Sequence, residues 1–554
     1  MQRVLARAAI AALCGAAAIT TGAQAAGRDA PVKALPAPVM PAHGDGLTRA
    51  LATGRVSLAE ETLLRAEALF HPIRVSARYG HVARPAPRDA TLILRDLAVR
   101  LGQLSPADRK DALALLARPA DPYDATTNPD GWGTPEAAGS PECGADVCVH
   151  WTDTGSNAPD PTDANANGFP DWVDTTLAVA EHVWGQEVGE MGYRAPLPDT
   201  TSTDDGGNGQ LDIYLSDLAP QNLYGYCTSD DPKLATLGQP GVTWDVSAYC
   251  VVDNNYTDPI FAAHTPLQNL KVTLAHEFFH AVQFGYDVGE DRWLMEGTAT
   301  WMEDEVYDRI NDNRQYLTTS QLRYPWVPLD RTAGCCFQYG SWIWFRFLSE
   351  TMGPDVIREI WDRADGSAGA PNDYSTQAIK HVLAAHGTTF ADQFARFAVW
   401  NRIPALRYSE GRNYPTPIAS GRLKLGPARL STGWLELRLN HMSSAYISLL
   451  PSRKVGRRAH LTIELDGPSL PARPEGSVLV FKRSGTVVVD RYTLGRRGNG
   501  VLRVPFSHRR VRRVVLALSN AGTRFTGCGQ FTQYSCGGTP LDNRRLFIFR
   551  ARIR

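Results

Sequence analysis

The chain has 554 residues, 43% hydrophobic and 21% charged, a balance that excludes intrinsic disorder, and its length exceeds what one core of roughly 100–200 residues accommodates. Beyond the N-terminus no apolar run reaches the roughly 18 residues of a membrane span. The net charge of −1 hides a division: residues 415–554 hold 25 Lys and Arg against 6 Asp and Glu, so the rest is strongly acidic. Two differently charged modules follow, the basic one being either a solvated surface or a polyanion-binding one.

Arg3 and Arg7 precede the small-residue apolar run Ala8–Ile19 and the small-x-small triplet Ala23-Gln24-Ala25. This pattern predicts an export signal over 1–25, cut near Ala25, and a secreted protein, extracellular or periplasmic. Residues 26–135 are Ala-, Leu- and Arg-rich and lack cysteine, with helical spacing over Leu58–Phe70 and Leu92–Leu101. Pro119, Pro122 and Pro129 with Gly131 and Gly133 then mark a boundary near 119–140. The block is read as a propeptide or as an N-terminal subdomain.

Without Cys14, eight cysteines remain, an even number that reads as disulfides in an exported chain. Close spacing favours Cys143–Cys148, Cys227–Cys250 and Cys528–Cys536, which leaves the adjacent Cys335 and Cys336 to each other.

Asp163, Asn165, Asn167, Gly168, Asp171 and Asp174 occupy positions 1, 3, 5, 6, 9 and 12 of a calcium loop, with the Phe169 carbonyl at position 7. A second stretch, Asp204 to Asp212, is a partial copy with Leu215 at its twelfth position, and is read equally as an ion site or a turn. Calcium here would be structural.

Thr265 and Pro266 cap a run of helical spacing that closes near Gly285. His276 and His280 lie four apart, so both imidazoles project from one face, close enough to chelate one ion. Glu277 between them turns toward a water on that ion, which completes the H-E-x-x-H pattern. Gln283 and Tyr286 stand where a metzincin carries Gly and His. The third ligand is expected at Glu296, in a second helical stretch 16 residues on, with Asp287 as the rival. Thr300 and Glu303 share the face of Glu296 and are read as support for the histidines, with an exposed charge as the equal alternative for Glu303.

Together, His276–His280 and Trp293–Asp304 resemble the gluzincin clan, and more narrowly a family of exported bacterial zinc metalloproteases. The resemblance is specific over about 145–360. It implies a thermolysin-like core in which His276, His280 and Glu296 bind zinc and Glu277 is general base. Such enzymes stabilise the oxyanion with a Tyr or His. Tyr339, followed by Gly340, is the candidate here, an aromatic packing residue beside Cys335 and Cys336 being the alternative.

Beyond about 430 the periodicity becomes strand-like, with about eight short runs separated by turns. The expected fold is therefore α+β: a zincin-like, mainly helical catalytic domain over 136–415, preceded by the propeptide-like helices and followed by an antiparallel β-sandwich over 416–554. No serine-hydrolase elbow, P-loop or Rossmann fingerprint occurs. The expected function is secreted, zinc-dependent peptide hydrolysis acting on a protein or peptide substrate, with no nucleic-acid partner. A calcium-dependent surface or adhesive protein with a vestigial zinc site is the alternative.

Overall fold

The computed structural model describes residues 33–34, 44–121, 131–202, 205–332, 336–530 and 532–554. The export signal and Cys335 lie outside the described residues. Five helices open the fold: Gly46–Ala52, Leu58–Phe70, Pro72–Tyr79, Ala90–Ala98 and Pro106–Leu115. Local chemistry sets their starts. The Ser57 hydroxyl accepts from Glu60 N while the Glu60 carboxylate accepts from Ser57 N, and Ser105 caps the helix that Pro106 begins.

Leu63, Leu69, Leu92, Leu94, Leu97 and Leu115 on these helices belong to the same buried core as Ile213, Phe278 and Trp301 further along the chain. A boundary near 135 thus does not separate two cores. A smaller cluster around Leu47, Val75 and Tyr79 lies apart from this core.

The central region contains a five-stranded sheet in the order Glu142–Cys143, Val147–His150, Leu211–Ser216, Tyr249–Asp253, Gly225–Thr228. Its three middle strands are parallel and its two edge pairs antiparallel. Four of the five strands are buried throughout, with no apolar–polar alternation, as expected of strands covered on both faces. The motif helix Pro266–Asp287 packs against this sheet, and Arg292–Tyr307 returns beside it. Gly297 lets the helix Trp342–Met352 pass close by, since a Cβ there would lie 2.6 Å from Phe345 Cε2.

The C-terminal region holds the expected strands in two five-stranded sheets that share one core, including Leu437, Ile463 and Phe549 from one and Ile447, Val480 and Leu516 from the other. The expectation of a wholly antiparallel arrangement needs correction. Lys33–Ala34 pairs parallel with Leu435–Leu439, and Gly421–Leu425 pairs parallel with Ser443–Pro451. Both additions come from segments outside the hairpin-connected body, so hairpin geometry does not fix their direction.

Cys143–Cys148, Cys227–Cys250 and Cys528–Cys536 are bonded. Among the described residues no helix is long and apolar enough to cross a membrane.

Candidate metal centre

The motif helix is set by a complete capping box, Thr265 with Gln268, and by Pro266 in its first turn. It runs 22 residues to Asp287, two past Gly285, which packs close to the backbone of Ala195 and Leu197 instead of ending the helix. His276, Glu277, His280 and Glu296 are all fully buried.

Among the described residues, His276, His280 and Glu296 form the one group of three or more His, Cys, Asp or Glu ligand atoms within 4.8 Å of one another. His276 Nε2 lies 3.3 Å from His280 Nε2 and 3.2 Å from Glu296 Oε2, and His280 Nε2 lies 3.9 Å from that oxygen. Ligand atoms about 2.0–2.1 Å from a tetrahedral zinc stand about 3.3 Å apart, so the three positions fit such an ion. Neither Glu296 oxygen accepts a hydrogen bond. Burial, then Asp89 and Glu277 nearby, push its carboxyl well above the usual carboxylate range, so its ionised form would need a cation beside it.

Each imidazole is oriented through its far nitrogen. His276 Nδ1 donates to Glu303 Oε1 at 2.8 Å, and His280 Nδ1 donates to Gln283 Oε1 at 2.7 Å. The Gln283 amide is fixed in turn, since its Nε2 donates to Met295 O and Thr298 Oγ1. The protons on Nδ1 leave both Nε2 lone pairs for a metal. Burial also holds both imidazoles neutral, His280 pushed down to about 4 and His276 well below its ordinary value.

The expected support from Glu303 is present, whereas Thr300 Oγ1 has no partner and supports neither histidine. Gln283 takes the place that Thr300 was expected to fill. Its position three residues after His280 on one helix face is the signal that reveals it. Asp287 stands outside the ligand group, accepting from Gly289 N at 2.7 Å.

Residues of the N-terminal helices reach the same site. Thr91 Oγ1 donates to Glu277 Oε2 at 2.7 Å, while burial raises the Glu277 carboxyl to about 7 against the lowering effects of Thr91 and Arg88. Arg88 pairs with Glu303 at 2.7 Å and with Asp312 at 3.1 Å. The buried Tyr339 hydroxyl donates to Asp89 Oδ1 at 2.7 Å, its ring 6.1 Å from that of His276 and stacked on Tyr316. Residues 88–91 thus engage both Glu277 and Tyr339, a convergence that no local spacing encodes.

In the loop expected to bind calcium, Asp163 accepts backbone N–H groups from Asn167 and Gly168, and Asp171 accepts one from Ala164. Asp174 accepts from the amides of Asn165 and Asn167. Gly168, at the sixth position, has φ 98°, which the sharp turn of such a loop requires, and Phe169 N donates to Asn167 Oδ1. Glu142, outside the loop, is raised to about 7 by burial and by Asp174, and is a further carboxylate beside the twelfth position. In the second stretch Asp204 lies outside the described residues. Asp212 there faces His150 at 2.9 Å and pairs with Arg118, whose buried guanidinium also contacts Asp199 and Asp230, so this carboxylate already has a cation.

No curated protein matches the chain. Among solved structures it is similar to a family GH115 4-O-methyl-α-glucuronidase with specificity for decorated arabinogalactans, at 8% identity and a TM-score of 0.13, over 53% of this chain and 39% of that one. A family model matches residues 122–444, more than half of the chain, including His276, Glu277, His280 and Glu296 but not residues 88–91, and on that match the protein belongs to the family of unknown function DUF6055.

Proposed function

We propose that the protein is a secreted zinc-dependent endopeptidase of the gluzincin type, with a zincin-like catalytic region, a structural calcium loop, and N-terminal helices that close the site. The observation that carries this reading is the His276, His280, Glu296 geometry with Glu277 one residue from the first ligand. Zinc bound there would supply a Lewis acid and make a nearby water acidic enough to deprotonate near neutral pH.

Glu277 is the general base for this chemistry. One carboxylate oxygen is held by Thr91 and the other has no partner, so release of Thr91 frees both to take a proton from water and pass it to the leaving amine. Glu303 and Gln283 keep the imidazoles in the ligating tautomer throughout. Tyr339, once separated from Asp89, has a free O–H to donate to the developing oxyanion. The burial of all four central residues means that a polypeptide reaches them only after residues 88–98 withdraw. This supports an inhibitory role for the segment before residue 135.

The test is zinc content together with casein hydrolysis, with and without a chelator, on the secreted chain before and after limited proteolysis between 116 and 135. Chelator-sensitive hydrolysis that rises on cleavage is expected. A secreted form that begins near Ala26 and is already fully active would remove the inhibitory role. The complete burial of the centre also favours a second reading, a calcium-dependent surface protein whose zinc site is structural. That reading expects bound zinc and no hydrolysis in any form of the chain.

A further inference from the structure

The C-terminal sheets carry a cleft of about 450 Å³ into which Arg422, Lys424, Arg453, Arg483 and Arg512 project, together with His508. These residues come from separate pieces of chain. Arg422 and Lys424 alternate along the exposed face of the edge strand Gly421–Leu425, and Arg512 lies at the start of Val511–Asn520. Arg453 follows the strand Ser443–Pro451, and Arg483 sits in the turn between Pro474–Lys482 and Val487–Arg491. The fold, and not a run of basic sequence, brings them together.

Two observations separate this cleft from an ordinary solvated surface. First, its cations are uncompensated. A few arginines of the C-terminal region meet carboxylates, as Arg550 and Arg552 meet Glu464 and Arg524 meets Asp542, and what sets the cleft apart is that five cations without such a partner converge on one cavity. No cleft cation pairs with a carboxylate among the described residues. Adjacent Arg513 is pushed down to about 10, by burial first and then by Arg402, Arg512 and Arg422. Second, part of the cleft is preorganised. His508 Nδ1 faces Pro451 O at 3.2 Å and so carries the proton, which leaves Nε2 to accept from Arg483 at 3.2 Å. Arg483 Nε also donates to His508 O at 2.7 Å, so its guanidinium is fixed before any ligand arrives.

We infer that this cleft binds the sulfate or phosphate ester groups of an anionic polysaccharide. Guanidinium forks match tetrahedral oxyanions bidentately, and four of the five cations are arginines. Leu450 and Pro451 are its apolar lining and no Phe, Tyr or Trp is among its lining residues, so among the described residues the cleft lacks the broad aromatic platform on which single-stranded nucleic acids stack their bases. The exposed large apolar residues of this region, Leu430, Leu470, Val501 and Leu541, lie outside the cleft, which leaves it without an anchor for a membrane surface. The inference is independent of the metal centre.

The test uses the full chain at 0.15 M salt, with dextran sulfate as probe and uncharged dextran, a single-stranded oligonucleotide and anionic phospholipid vesicles as comparisons. Arg422→Ser/Arg483→Ser/Arg512→Ser is expected to weaken dextran sulfate binding by about tenfold or more. The charge-matched triple Arg438→Ser/Arg497→Ser/Arg503→Ser, two residues in the other sheet and one in the turn before its strand Asn499–Pro505, is expected to change it less than twofold. Should the cleft triple fail to fold, the single variants Arg483→Ser and Arg512→Ser are expected to weaken binding about threefold each. Equal losses in the two triples, or no binding by the parental chain, would overturn the site. Tighter binding of the oligonucleotide or the vesicles through the same three arginines would overturn the polysaccharide.

Discussion

The metal centre and the basic cleft hold charge in opposite ways. At the candidate centre, His276, His280, Glu277 and Glu296 are sealed from water, the far nitrogen of each imidazole is held, and among the described residues neither oxygen of the Glu296 carboxyl has a hydrogen-bond partner. In the cleft, arginines stand in solvent, close to one another, without a carboxylate partner among the described residues. A buried unpaired anion costs several kcal/mol and is tolerated where a cation repays it, whereas exposed like charges cost little and wait for a ligand. The first arrangement, on the proposed reading, takes its ion as part of the fold. The second leaves its ligand optional.

The largest effect that sharpens this contrast falls on Glu277, the buried acid that is not a ligand. Glu277→Gln keeps shape and all three ligands, and is expected to cut casein turnover by about 10²- to 10⁴-fold with zinc content unchanged. Parental turnover in that variant would refute the peptidase reading. Next, Arg88→Met removes the guanidinium that Glu303 and Asp312 share, leaving Glu303 with His276 alone and Asp312 with His264 and Gln315. It is expected to lower stability by about 3–5 kcal/mol in urea unfolding of the full chain, and a loss under about 1 kcal/mol would mean that the N-terminal helices are only loosely seated.

A smaller effect is expected from Gln283→Leu, which removes the acceptor for His280 Nδ1 but no ligand. Zinc affinity should fall by about 10- to 100-fold, and an unchanged affinity would show that the helix alone orients the ring. The smallest lies at the exposed loop proposed to bind calcium. Asp163→Ala should lower the melting temperature by about 2–4 °C in calcium and barely change it in EDTA-treated protein, while equal losses in both would mean that the loop holds no ion.

What the sequence revealed divides along a related line. His276, Glu277, His280 and Glu303 were legible because helical spacing converts sequence offset into a shared face, and the eight C-terminal runs because turns punctuate them. The central sheet was not legible. Val147–His150 and Tyr249–Asp253 are short and wholly buried, so they lack the alternation that marks a strand with one wet face. Thr91 and Arg88 reach Glu277 and Glu303 from 186 and 215 residues away, distances over which spacing carries no information. The cleft was foreshadowed only as an excess of charge, since its five cations converge from separate strands and turns.

Zinc per chain tests the metal centre most directly, measured on purified protein with Glu296→Ala and Asp287→Ala side by side. The geometry predicts about one zinc in the parental chain and in Asp287→Ala, whose carboxylate binds Gly289 N, and little in Glu296→Ala. A Glu296→Ala chain that keeps its zinc while Asp287→Ala loses it would contradict the ligand set and the gluzincin assignment together.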